Sequence, residues 1–176
     1  MKSKFAMAAL AVAFASGLGV QAASAEGRAG GWHTNRAGGA TAGSAHNVTG
    51  PMGGQRAGGR GAISDGQGNA AAGGANCAAG AAGRACRAGA TTRGADGSVN
   101  HRSGFAVEGA DGGYASSQGG FTRDADGNVS GERNTSATGA QGNSYDADTT
   151  YDSETGVSRS VTCTDASGAV IACPTR

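Results

Sequence analysis

The chain has almost no leucine and almost no lysine. Leu10, Leu18, Lys2 and Lys4 are the only ones, and all four lie in the first 25 residues. From Glu26 onward every permanent side-chain cation is an arginine. Without lysine that part offers no P-loop and no Schiff-base nucleophile. Neither a Gly-x-Ser-x-Gly elbow nor a His-Glu-x-x-His helix occurs, which removes two hydrolase signatures. The cysteines show no C-x2-C spacing, and His33, His46 and His101 are not paired at ligand spacing, so zinc is disfavoured. A Ser-His-Asp arrangement built on His101 needs a rigid core to hold it. No enzyme is expected, and no cofactor is implied.

Large apolar side chains are also scarce. Between residues 26 and 90 only Trp32, Val48, Met52 and Ile63 qualify. From 91 onward there are twelve: Val99, Phe105, Val107, Tyr114, Phe121, Val129, Tyr145, Tyr151, Val157, Val161, Val170 and Ile171. Ordering a residue costs roughly 1–2 kcal/mol of backbone entropy, and a buried Val or Phe returns roughly 1.5–3 kcal/mol. Residues 26–90, rich in Gly, Ala and Arg, are therefore expected to be a disordered low-complexity segment. Residues 91–176 support a thin sheet and not a globule.

The first 25 residues read as a secretory signal. Lys2 and Lys4 precede the apolar run Phe5 to Val20, and Ala23-Ser24-Ala25 is a small-residue cleavage site before Glu26. No later stretch is apolar enough to span a bilayer, so stable membrane insertion is not expected. The mature chain is expected in the periplasm, at the cell surface or outside the cell.

Glycine is what the chain has in abundance, with 35 residues. Three Ala-Asp-Gly triplets, at 95–97, 110–112 and 125–127, stand 15 residues apart, and Ala140-Gln141-Gly142 falls on the same beat. Asp-Gly is a turn signal, because glycine accepts positive φ and Asp bonds nearby backbone. Thr92–Val99 matches Thr122–Val129 at an offset of 30, so alternate turns resemble each other. That doubling favours a β-meander of strand-and-turn units, in which successive turns lie on opposite edges, with strands such as 98–107 and 128–137. A β-solenoid and a largely disordered chain are the alternatives.

Four cysteines in an exported chain point to disulfides. The local pairing Cys77–Cys86 and Cys163–Cys173 closes two short loops, the second pinning a C-terminal hairpin. The run Asp124-Ala125-Asp126-Gly127-Asn128-Val129-Ser130-Gly131-Glu132 looks like the start of a calcium loop, but its first glycine stands at the fourth place where an EF-hand wants the sixth. Turn chemistry is the favoured reading. Charge divides along the chain: residues 26–93 carry seven Arg against Glu26 and Asp65 (7 − 2 = +5), and residues 94–176 carry five Arg against eleven acids (5 − 11 = −6).

Thr-Arg-x-x-x-Gly-x-Val over 92–99 and 122–129, with Thr49-Gly50-Pro51-Met52-Gly53-Gly54, resembles Gly-rich repeat proteins secreted by Gram-negative bacteria. The resemblance is compositional and implies neither an activity nor any site residue. The expected function is an exported, non-enzymatic structural or interaction protein. The alternative is a ligand-binding module, with calcium at the Asp-rich turns or anionic glycan at the Arg-rich half. Self-association or a cell-surface polysaccharide is the expected partner. Nucleic acid is not, because aromatics to stack on bases are missing from the Arg-rich segment.

Overall fold

Each Ala-Asp-Gly triplet closes a tight hairpin. In the first, the Gly97 amide donates to the Gly94 carbonyl at 3.0 Å and the Gly94 amide to the Ser98 carbonyl at 2.8 Å. Gly97 takes φ +85°, a conformation L side chains adopt only with strain. This is a type I turn followed by a left-handed glycine, a standard three-residue hairpin connection. The Asp96 carboxylate accepts the Ser98 amide at 2.9 Å and so fixes the turn from its side chain.

The computed structural model describes residues 27–34 and 38–173. Among them the chain folds as one open antiparallel sheet whose strands follow each other in sequence order. The strands are β1 (Gly27–Thr34), β2 (Ala40–Thr49), β3 (Gln55–Ser64), β4 (Ala70–Gly80), β5 (Gly83–Arg93), β6 (Val99–Gly109), β7 (Tyr114–Arg123), β8 (Val129–Thr138), β9 (Ser144–Asp152), β10 (Gly156–Thr164) and the short β11 (Val170–Ile171). The architecture is the meander and not the solenoid. The turns at 94–98 and 124–128 lie at one end of the strands, and those at 110–113 and 139–143 at the other.

The pairing explains why the repeat doubles to 30. Residues directly opposite each other in an antiparallel pair point to the same face, and successive residues alternate. Most closing pairs, such as Arg93 with Val99 or Thr138 with Ser144, enclose five residues, and Asp152 with Gly156 encloses three. An odd loop pairs odd numbers with odd numbers. The exception is the two-residue loop Ala81-Ala82 between Gly80 and Gly83, which exchanges the parity once. From Gly83 onward all odd-numbered strand residues share one face. An offset of 15 therefore changes face, and an offset of 30 restores it. Val99 and Val129 lie on the same face, and Tyr114 lies on the other.

No conventional core forms. Among the described residues Ala147, Cys163 and Ser117 have the only buried side chains, and twelve large apolar side chains are exposed. The sheet is held by its main-chain ladders and by two disulfides. Cys77 and Cys86 face each other directly across β4 and β5, with Cα atoms 4.1 Å apart, and Cys163–Cys173 ties the chain after β11 back to β10.

The expectation of a disordered segment over 26–90 differs from the structure. Residues 27–34 and 40–80 carry β1 to β4, and β5 begins at Gly83. Side-chain burial is not the only gain that offsets the ordering of these strands. A strand added to an existing edge also gains a full ladder of main-chain hydrogen bonds, and small residues let neighbouring backbones approach closely. At Gly74 a Cβ would lie 2.7 Å from the Gly59 carbonyl oxygen, and at Gly120 it would lie 2.1 Å from that of His101. These mid-strand glycines are where the sheet admits no side chain. The signal segment 1–25 and its cleavage site lie outside the described residues.

Candidate interaction face

The pairing register sorts the charges by face. Ten arginines lie on the described strands. Arg28, Arg56, Arg60, Arg87, Arg93, Arg123, Arg133 and Arg159 share one face, and only Arg84 and Arg102 lie on the other. The five strand carboxylates, Glu108, Glu132, Asp146, Asp148 and Asp152, all lie with Arg84 and Arg102. One face thus carries eight guanidinium groups and no strand carboxylate. On the opposite, acidic face Arg84 and Glu108 form an ion pair between exposed partners.

The arginine face also carries most of the large apolar groups. Trp32, Phe105, Phe121, Tyr145 and Tyr151 lie on it, with Val107, Val157 and Val161. The three buried side chains, of Ala147, Cys163 and Ser117, lie there too. His101 stacks on Phe121 with ring centroids 5.4 Å apart, and its Nδ1 lies 2.8 Å from Thr91 Oγ1. A hydroxyl and a ring therefore occupy His101, and no strand carboxylate shares its face.

A shallow furrow crosses β4 to β8 at the middle of this face. It lies on one line of opposed residues that runs across the sheet from Ser44 and Arg60 through Gly74, Gly89, Ser103 and Gly119 to Arg133, Thr149 and Arg159. A shallow depression of about 400 Å³ lies in it, lined by Asn76, Arg87, Phe105 and Arg133 above backbone at Gly74 and Gly89. Hydroxyl groups orient the arginines here. Arg133 Nη1 donates to Ser117 Oγ at 3.0 Å, and Nη2 to Ser103 Oγ at 3.4 Å. Ser103 is two strands away, and Gly119 between them leaves room for the guanidinium. Arg60 Nε donates to Ser44 Oγ at 3.3 Å, and Arg159 Nη2 to Tyr145 Oη at 2.7 Å. A hydroxyl positions a guanidinium without neutralising it, so the charge stays available to an external anion.

Comparison with protein-family models, with curated proteins and with solved structures found no match.

The Asp-rich turns serve the backbone. Asp124 Oδ1 accepts the Asn128 amide at 2.8 Å, and Oδ2 accepts Asn128 Nδ2 at 2.9 Å. Asp65 does the same for Gln67 and Asn69, and Asp165 for Ser167 and Ala169. Such bonds favour the charged form. The Asn128 side chain holds the Asp124 carboxyl below its ordinary value, as Asn69 does for Asp65 and Ser98 for Asp96. The Glu154 amide acts likewise on Asp152, and the Ser167 hydroxyl on Asp165. Among the described residues no three His, Cys, Asp or Glu side chains converge as a metal set. In the run 124–132, Asp124 serves the turn by bonding Asn128 with both carboxylate oxygens.

The charge-bearing face escaped the sequence reading, which divided charge along the chain. The signal was parity. After Gly83, all five strand acids are even-numbered, and five of seven strand arginines are odd-numbered.

Proposed function

We propose that the chain is an exported, non-enzymatic structural or interaction protein that works as a two-faced sheet. The observation that carries this reading is the segregation of arginine and aromatic side chains onto one face that, among the described residues, no other layer covers. A globular enzyme buries its apolar groups to fix a few reactive ones. This sheet spreads them over an open area, which is the arrangement of a contact surface. Two disulfides suit an oxidising compartment. Among the described residues no helix is long and apolar enough to cross a membrane. The compartment of action, on this reading, is the periplasm, the cell surface or the extracellular matrix.

Cell fractionation of an epitope-tagged full chain tests this. Disulfide-bonded protein in the periplasmic, surface or culture fractions, with residues 1–25 removed by intact mass, supports the reading. Reduced protein confined to the cytosol overturns it.

A further inference from the structure

We propose that the arginine face binds an acidic polysaccharide, laid along the central furrow across the strands. This specifies the partner of the exported interaction protein inferred above and rests on that reading.

Charge complementarity selects a polyanion, since eight arginines share the face with no strand carboxylate. A second copy presenting its own arginine face meets like charge. A second copy presenting its acidic face offers Glu132, Asp146, Asp148 and Asp152, all gathered on β8 and β9, whereas the arginines run from β1 to β10. The complementarity is therefore local and leaves most guanidinium groups unmatched.

Spacing separates a polysaccharide from a nucleic acid. The arginines of the central line, Arg60, Arg133 and Arg159, stand on β3, β8 and β10. At about 4.8 Å per strand they are roughly 24 and 10 Å apart. A nucleic acid, whose affinity comes mainly from its phosphates, is matched by denser cations. Between the arginines the floor offers Ser103, Thr149 and bare glycine backbone, with Phe105 on one side and Phe121 on the other. Hydroxyl-rich rings that bear carboxylates fit that alternation. The rings lie on phenyl groups, their hydroxyls meet Ser and Thr, and their carboxylates meet guanidinium groups in charge-assisted bonds. Phe121 already stacks on His101, which leaves it one free flank and suits a sugar edge better than an inserted base.

The test uses the full disulfide-bonded chain against immobilised polygalacturonate, neutral dextran and a mixed single-stranded DNA, by biolayer interferometry. Polygalacturonate should bind and dextran should not. Its affinity should fall at least about tenfold between roughly 50 and 500 mM NaCl, as screening requires. Arg87→Gln with Arg133→Gln should weaken binding at least about tenfold, since each lost charge-assisted contact is worth about that much. Arg84→Gln with Arg102→Gln removes the same net charge from the opposite face and should change affinity less than about threefold. Circular dichroism confirms the fold. Should the first pair unfold, Arg60→Gln with Arg123→Gln is read instead against the same threshold. Absence of polygalacturonate binding at low salt, equal losses from the two faces, or tighter binding to the DNA overturns the proposal. Fractionation of the wild-type chain is read separately, so export without polyuronate binding refutes the ligand alone.

Discussion

The strands β1 to β5 and the strands β6 to β10 share one ladder pattern and differ in what stands on it. The first group is built of Gly, Ala and Arg, with Trp32, Val48 and Ile63 as its large apolar residues. The second carries phenylalanine, tyrosine and valine on nearly every strand. Both form continuous sheet. A long sheet therefore does not need side-chain burial in every strand when a neighbour supplies an edge and small residues let backbones close up. It does need something to keep the poorer half ordered, and a cross-strand disulfide joins β4 to β5, the two strands of that half nearest β6.

Breaking that disulfide should give the largest effect. Cys77→Ser with Cys86→Ser removes a short loop closure worth roughly 2–3 kcal/mol. The loss falls where few other side-chain contacts exist, so amide hydrogen exchange should accelerate throughout β1 to β5 and much less in β6 to β10. Cys163→Ser with Cys173→Ser should release β11 and the outer edge of β10 and leave the first half protected. If both double variants exchange alike, the two halves are one cooperative unit.

Glycine substitutions separate two kinds of backbone demand. A Cβ on Gly120 meets the His101 carbonyl oxygen, so Gly120→Ala should cost roughly 1–3 kcal/mol by crowding the centre of the sheet. Gly127 has open space within 4 Å but sits at φ +95°. Gly127→Ala should cost about 1–2 kcal/mol by backbone strain alone. Thermal melting orders the two. A Gly127 variant as stable as wild type would remove the left-handed glycine from the explanation of the repeat.

Acid should act unevenly on the two halves. Asp65, Asp96, Asp124, Asp152 and Asp165 all have folded-state carboxyls held below the ordinary value by the turns they close. A depressed folded value means the stabilisation is fully present above the unfolded value of about 3.9 and is lost as pH falls through the folded one. Only Asp65 joins strands of the first half, between β3 and β4, while the other four border β6 to β11. Between pH 5 and pH 2, roughly the span of carboxylate titration, protection should fall first in the second half. A uniform loss would mean that the turn carboxylates are not what acid attacks.

The meander was legible in the sequence because its turns carry chemistry: Ala-Asp-Gly demands a left-handed glycine, and the spacing of 15 gives strand length. Observed β6 and β8 begin at Val99 and Val129, one residue from the expected starts. The order of β1 to β4 was not legible, because main-chain pairing leaves no mark on side-chain composition. The arginine face was hidden for a related reason. Which side a residue takes depends on whether each loop is odd or even, and the single two-residue loop at Ala81-Ala82 inverts the rule for everything before it.

The smallest expected effect tests the faces at adjacent residues. Ser116 lies on the acidic face opposite Ala106 and Ser136, half-buried. Ser117 lies on the arginine face at 4% exposure, bonded to Thr135 Oγ1 at 2.9 Å and to Arg133. Replacing Ser117 by alanine leaves Thr135 and a guanidinium short of a partner in partly dry surroundings, which should cost about 1 kcal/mol. Ser116→Ala removes no such partner and should stay within about 0.5 kcal/mol. The difference is small, but its direction is decisive. If Ser116→Ala proves the more damaging, the arginine face is not the better-packed side of the sheet. The hydroxyl groups that aim Arg133 across the furrow would then be incidental.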